Sequence, residues 1–289
     1  MDLKGLKFSK AHGLGNDYVI VDESKEIKIV EENKADFSIE VCRRGFSIGA
    51  DGVIFVTKAT TEKGDIRFRI FNGDGSEAEM CGNGIRCFSK FIYDRDIVKK
   101  DVINVETLDG IKVVNITSEN GISTLFKVDM GLSTFNTREI PMINENNEFL
   151  EGKLIVDDEK ISLSVISVGN PHAIIFVDNV DKIDLGRLGP AIENHELFPE
   201  RINVHFVELI SNKEIKILTW ERGAGYTHAC GTGATSSVLI GYKLSKLDNK
   251  VLVHLPGGEL EVKVYEKEGS LGAFMKGDAQ LVFDGKIIQ

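Results

Sequence analysis

Apolar and polar residues alternate with a period of two through much of the chain. The stretches "VINVETLDGIKVVNIT" (102–117), "LFKVDMG" (125–131), "LIVDDEKISLSVISVG" (154–169) and "LEVKVYEKEGSLGAFMKGDAQLVFDGKII" (260–288) carry the pattern most clearly. Alternation places every second side chain on one face, as a half-buried strand requires, and the Asp- and Gly-containing breaks read as hairpin turns. Two segments have helical spacing instead: Ile85, Phe88, Phe91 and Ile92 after Cys81, and Ala234, Val238 and Leu239 after Cys230. A helix with apolar residues on much of its circumference has to be wrapped by strands, which leaves its amino end as the exposed part. The expected class is α+β, mostly antiparallel, with one conspicuous helix in each half and no regular strand-helix-strand alternation.

The halves resemble each other. Cys81, Gly82 and Gly84 recur as Cys230, Gly231 and Gly233. Each step is preceded by a strand-like run, "RFRIF" or "KILTW", and a polar, glycine-containing turn, "NGDGSE" or "ERGAGY", which puts Asn72 and Glu221 at matching places. Further upstream "GNDYVIVD" (15–22) resembles "GNPHAIIFVD" (169–178). Three landmarks in one order imply an internal duplication, with two similar domains facing each other. The expected boundaries are 1–127 and 128–276, with the last strand, within 277–289, crossing back to the first domain.

Composition narrows the function. At 289 residues, 42% hydrophobic and 28% charged, the chain suits a two-domain globular protein. A net charge of −10 and a pI near 5.2 argue against nucleic acid as a partner, because phosphates need clustered Lys and Arg. No apolar run reaches the length of a membrane span and the start lacks the apolar core of a signal peptide, so a cytoplasmic protein without a membrane partner is expected. There the four cysteines, Cys42, Cys81, Cys87 and Cys230, remain thiols. No paired C-x2-C elements occur and the six histidines are scattered, so no zinc site is expected.

A cysteine at a helix start is a different matter. The first N–H groups of a helix lack intrahelical acceptors and the macrodipole leaves about half a positive charge there. Both lower a thiol pKa from about 8.5 towards neutrality. Flanking glycines let the backbone turn sharply and bring its amides close to an anion such as a carboxylate. Two such loops on facing domains present two sulfurs to opposite sides of one ligand, the apparatus for inverting a stereocentre: a thiolate removes a proton from one face and a thiol delivers one to the other. Helix-end amides stabilise the charge that spreads into the carboxylate, and no metal or organic cofactor is demanded. "CGNGIRC" lacks the third glycine of a dinucleotide fingerprint and the lysine of a P-loop, which disfavours a nucleotide site. Cys42 and Cys87 have no duplicated counterparts and read as small buried hydrophobes.

Together "GLGNDYVIVD", "IGADG", "FNGDGSEAEMCGNGIRC", "VGNPHAIIFVD", "RINVHFVE" and "ERGAGYTHACGTGA" resemble the diaminopimelate epimerases, cofactor-independent enzymes of lysine biosynthesis, along nearly the whole chain. The resemblance implies two strand barrels, each around a central helix, with the small-molecule substrate diaminopimelate closed between them. It implies Cys81 and Cys230 as acid/base thiols, and Gly82, Asn83, Gly231 and Thr232 as amide donors to the reacting carboxylate. Arg222 corresponds to the residue that pairs the distal carboxylate, and Asn16, Asn72, Asn170, Asn203 and Glu221 to further substrate contacts. His172 and Glu221 correspond to neighbours that adjust the thiol pKa values. Some members have glutamine after the Asp of the "GADG"-like segment, where this chain has Gly52, so no contact is carried over to Asp51 and Gly52. A proline-type racemase carries a histidine where Asn83 stands and a proline where Ala229 precedes Cys230. A thiol redox protein lacks support because no C-x-x-C is present. An amino-acid-binding protein would not need both cysteines. A homodimer is left open.

Overall fold

The chain divides into two units, the first ending at Asp129 and resuming from Gly277, the second Met130–Lys276. The structure, a computed structural model, describes residues 3–288, so the expected domain ends at Met1, Asp2 and Gln289 lie outside the described residues. In the first unit β1 (Lys7–Gly13), β2 (Asn16–Glu23), β3 (Gly52–Thr57), β4 (Ile66–Asn72), β5 (Glu77–Ala78), β6 (Val102–Thr107), β7 (Gly110–Glu119) and β8 (Ile122–Leu132) are joined by the last strand of the chain, β18 (Gln280–Lys286). The order is β18-β1-β2-β3-β4-β6-β7-β8, with short β5 also on β4. Neighbours run antiparallel except β2 with β3 and β4 with β6.

The second unit repeats this plan. It consists of β9 (Gly152–Val156), β10 (Glu159–Ser167), β11 (Pro171–Val177), β12 (Asn203–Ser211), β13 (Glu214–Glu221), β14 (Gly225–Tyr226), β15 (Lys250–Leu255), β16 (Gly258–Lys267) and β17 (Ser270–Gly277). The order is β9-β10-β11-β12-β13-β15-β16-β17, parallel only at β11/β12 and β13/β15. The outer position that β9 fills beside β10 is filled in the first unit by β18 beside β1.

Parallel neighbours cannot be joined by a hairpin, so each parallel pair needs a crossover. The crossovers are the helices: α1 (Lys34–Cys42) and α2 (Gly82–Asp94) in the first unit, α3 (Leu185–Glu193) and α4 (Gly231–Lys243) in the second. Helices α2 and α4 cover the two apolar-periodic segments. Ile85, Phe88 and Ile92 on α2, and Ala234, Val238 and Leu239 on α4, are fully buried. Strands β18, β1, β2, β3 and β4 all pack on α2, and β10, β11, β12 and β16 on α4, so each sheet wraps its helix as an α+β barrel. Glycines such as Gly82 and Gly84 cost a helix interior about 1 kcal/mol each. Burying Ile85, Phe88 and Ile92 contributes roughly 1.5–3 kcal/mol apiece, and packing wins.

Helices α1 and α3 are additional to the conspicuous helix expected in each half. "KADFSIEVC" of α1 has no side-chain cap bond at its start, and "LGRLGPAIE" of α3 contains two glycines and Pro190, all weak helix formers. Tertiary packing forms them. Phe37 and Val41 of α1 cluster with Val19, Val21, Val53 and Phe55, while the alternate residues Ile20 and Ile54 are also fully buried. Strands β2 and β3 are therefore apolar on both faces, one against α1 and one towards α2. Among the described residues no helix is long and apolar enough to cross a membrane.

One ion pair ties α1 to the sheet. Lys34 Nζ lies 2.5 Å from Glu23 Oε2, with side-chain exposures of 3% and 1%. Glu23 Oε1 accepts from the backbone N–H groups of Lys28 at 3.0 Å and Ile29 at 2.7 Å, and Lys34 also donates to Ile29 O at 2.9 Å. Removing one charge strands the other, at a cost of about 3–5 kcal/mol, whereas removing both charges while keeping an acceptor for the two N–H groups costs much less. Glu23→Gln should lower the unfolding free energy read from urea titration by an amount in that range, and Glu23→Gln with Lys34→Met, which keeps an acceptor for the Lys28 and Ile29 N–H groups, by much less. Equal losses in the two variants would show that the pairing of the charges is not what matters.

Candidate active site

Both central helices begin on a cysteine. Cys81 has extended backbone angles (φ −140°, ψ 121°) and its Sγ accepts the Gly84 N–H at 3.4 Å. Cys230 repeats this (φ −121°, ψ 107°) with the Gly233 N–H at 3.3 Å. Sulfur here does what a serine or aspartate oxygen does at an N-cap, and an amide hydrogen aimed at sulfur favours the thiolate over the thiol. The next carbonyl is also treated alike: Arg86 Nη1 donates to Gly82 O at 3.1 Å, and Thr235 Oγ1 to Gly231 O at 2.9 Å. The remaining cysteines are chemically different. Burial pushes the Cys42 thiol up to about 11 and the Cys87 thiol up to about 12, so both stay protonated and packed.

Around Cys81 the structure gathers residues from the first turn of β2. Tyr18 Oη lies 3.0 Å from Cys81 Sγ and also reaches Asn16 Oδ1. Asn83 Nδ2 donates to the same Asn16 oxygen at 3.1 Å. Asn16 Nδ2 donates to Asp51 Oδ2 at 2.7 Å, and that oxygen also takes the Asp17 N–H at 2.9 Å. Arg44 bridges Asp51 and Asp17, and Lys10 Nζ sits 2.6 Å from Asp17. Burial alone would raise the Asp17 carboxyl, but hydrogen bonds from Arg44 and Lys10 outweigh it and hold the group below its ordinary value. Asp51 thus fixes the turn that carries Asn16. Gly52 has no room for a side chain on this backbone, since a Cβ there would lie 2.7 Å from Phe71 O. Asn72 ends β4 at the surface, its amide on Ser76 Oγ at 3.0 Å.

Around Cys230 stand a threonine hydroxyl and a histidine pair. Thr232 Oγ1 lies 3.4 Å from the sulfur. The ring of His205 packs where a Cβ on Gly233 would stand, 2.1 Å from its Cε1, so only glycine fits. His205 Nδ1 meets Thr219 Oγ1 at 3.0 Å, His205 Nε2 meets His172 Nδ1 at 2.8 Å, and His172 Nε2 meets Asn170 Oδ1 at 2.8 Å. Asn170 Oδ1 only accepts, so His172 carries its proton on Nε2, His205 carries its own on Nε2, and the Thr219 hydroxyl donates to His205 Nδ1. Each ring is singly protonated. Burial, then the neighbouring His205 and Arg222, holds His172 well below its ordinary range, and burial holds His205 down at about 3.

The arginine turn follows β13. Asn203 Nδ2 donates to Pro171 O at 2.9 Å and its Oδ1 accepts the Arg222 N–H at 3.0 Å, so Asn203 positions the turn. Glu193 of α3 braces it, accepting from Trp220 Nε1 at 2.7 Å and Gly223 N at 2.8 Å. Arg222 Nη1 donates to Glu200 O at 3.2 Å, and Glu221 Oε1 accepts from Thr227 Oγ1 at 2.5 Å. Tyr18, Arg44, His205 and Glu193 are absent from the residues marked by sequence, and Asp51 is marked without a role. The duplicated segments carried a signal for the first: β2 pairs Tyr18 with Gly52 in register as β11 pairs His172 with Asn203. Among the described residues no group of three His, Cys, Asp or Glu side chains is placed to hold a metal ion.

The sequence profile described as diaminopimelate epimerase matches residues 8–135 and again 164–282. The chain belongs to the diaminopimelate epimerase family. The two matches fall on the two duplicated halves. The diaminopimelate epimerase of Methanothermobacter thermautotrophicus is 64% identical over 282 residues, covering 98% of each chain, and that of Methanococcus aeolicus is 54% identical over 298 residues, covering 99% of each. Among solved structures, a hydroxyproline epimerase from Agrobacterium vitis with bound trans-4-hydroxy-L-proline superposes with a TM-score of 0.73, covering 98% of this chain and 91% of that one. At 14% identity this likeness is one of fold.

The neutral histidine pair makes stability depend on pH. A histidine held below its unfolded pKa of about 6.5 takes up a proton more readily in the unfolded chain, so stability is complete above that value and is lost as pH falls towards the folded pKa. Carboxylates held low, such as Asp17, keep their full contribution above about pH 5 and lose it only below that, so they do not affect this window. The urea midpoint should therefore fall between pH 7 and pH 5, and His205→Gln should flatten that fall. A midpoint constant over this window would mean that the pair is not buried neutral.

Proposed function

We infer that the chain interconverts LL- and meso-diaminopimelate with Cys81 and Cys230 as its acid/base pair, a step of lysine biosynthesis. Family membership makes it an amino-acid epimerase of the isomerase class. The observation that supports these two cysteines, among four, is that each caps a buried helix with its sulfur on a first-turn amide. The α-proton of an amino acid is weakly acidic, so its removal needs a thiolate held ready and an electrostatic site for the negative charge left behind. One sulfur takes the proton as thiolate. The other gives a proton to the opposite face as thiol, and the roles exchange for the reverse reaction.

The amides of Gly82 and Asn83, and of Gly231 and Thr232, are the donors to the reacting carboxylate on this reading, as helix-start N–H groups are for anions generally. Arg222 takes the distal carboxylate with its planar fork. Asn16, Asn72 and Asn170 supply neutral amide groups for the ammonium groups and carboxylates, while Asn203 acts by holding Arg222 and Glu221 lies beside them. His172, kept neutral, adds no charge of its own in the second unit. A reducing cytoplasmic setting fits a reaction that needs both cysteines as thiols.

The test is conversion of LL-diaminopimelate to the meso form by purified protein and its variants. Cys81→Ala and Cys230→Ala should each lower turnover by at least about 100-fold, the lower end for an acid/base group. Cys87→Ser, with its thiol held protonated, should stay within a few-fold. A Cys87→Ser variant as inactive as Cys81→Ala at unchanged stability would overturn the assignment.

A further inference from the structure

Tyr18 Oη lies 3.0 Å from Cys81 Sγ and within hydrogen-bond reach of Asn16 Oδ1. A phenol has one proton, so it cannot donate to both. Asn16 Oδ1 holds a second donor, Asn83 Nδ2 at 3.1 Å, and stays satisfied when Tyr18 turns away. We propose that Tyr18 is the residue that tunes Cys81: its hydroxyl points to Asn16 while Cys81 is a thiol donating to Tyr18 Oη, and swings to the sulfur when the thiolate forms. The proposal rests on the reading of Cys81 as an acid/base thiol. Tyr18 itself gains and loses no proton. The proton leaving the thiol goes to the substrate carbon, and the proton taken from that carbon returns to sulfur.

Tyr18 is 3% exposed, and burial, followed by the charge of Cys81, pushes its phenol well above the ordinary value of 10, so it remains a donor throughout. Of the other charged groups of the first unit at this place, the Arg86 guanidinium favours the thiolate, while a carboxylate such as Asp51 opposes it. Arg86 of α2 is fully buried, donates from Nε to Asp278 O at 2.9 Å, and feels the charges of both Cys81 and Tyr18. Asp51, facing from the loop before β3, is held by Arg44 and Asn16. Asp17 is closed off with Lys10 and Arg44, and Cys87 stays protonated. A buried cation and a hydroxyl donor both stabilise an anion on sulfur.

The second unit provides the comparison. His172 stands at the register position of Tyr18, with its ring nitrogens on His205 and Asn170, and Thr235 stands at that of Arg86. The duplication repeats the cysteine cap and changes its partner. Cys230 is thus an internal control.

The experiment is the pH dependence of iodoacetamide alkylation at each cysteine, read by peptide mass spectrometry, in the unaltered chain and in Tyr18→Phe. Losing a hydrogen bond to a charged sulfur should slow Cys81 alkylation at pH 7 about tenfold and move its midpoint upward, with Cys230 unchanged. The acid limb of kcat/KM for diaminopimelate should move with it. Tyr18→His, which carries over the residue of the second unit and keeps a donor, should recover part of the shift and guards against a Tyr18→Phe chain that does not fold. An unchanged Cys81 profile in folded Tyr18→Phe overturns the proposal, even if turnover falls. A shifted Cys81 profile with unchanged turnover sustains the role of Tyr18 and instead removes Cys81 from the chemistry.

Discussion

A backbone amide hydrogen resting on a cysteine sulfur, Gly84 on Cys81 and Gly233 on Cys230, is the contact on which the rest depends. It exists only if the cysteine is extended and the next residue already helical, and only if the helix is held firmly enough to aim its first turn. The parallel pairs β4/β6 and β13/β15 supply that condition. Each demands a crossover, the crossover is a buried helix, and the helix therefore starts where the preceding strand ends. Asn72 and Glu221, at those strand ends, hold corresponding places, each in its own unit.

Duplication gave the chain two such starts, and divergence gave them different surroundings. Tyr18 stands where His172 stands, Gly52 where Asn203 stands, Asn72 where Glu221 stands and Arg86 where Thr235 stands. The first cysteine lies among a phenol, a buried guanidinium and an ion cluster; the second lies near hydroxyls and a histidine pair without charge. A reaction that needs an acid and a base of one chemical kind is served by this combination of a common cap and distinct neighbours.

The cysteine steps, the duplication and the two central helices were legible because each is local: a fixed spacing, a repeated motif, an apolar period. Helices α1 and α3 were not, since the glycines and Pro190 in α3 oppose a helix and only packing against β2/β3 and β12/β13 forms the pair. Tyr18 and His205 were missed for a related reason. In sequence each is one more residue of a buried strand, and the pleat that turns Tyr18 to Cys81, or lays His205 on Gly233, is set by strand register across the sheet. Asp51 was visible but without a role until its carboxylate was seen on Asn16.

The central claim is that two different sulfurs handle the two faces of the α-carbon. Running LL-diaminopimelate with the protein in heavy water and analysing early time points by mass spectrometry and NMR tests it most directly. Two monoprotic thiols require the meso product to carry one solvent deuterium at the inverted carbon while recovered substrate carries almost none, because the proton removed from one face stays on the sulfur of that face. Early deuterium in recovered substrate equal to that in product, or product formed without deuterium, would contradict the account.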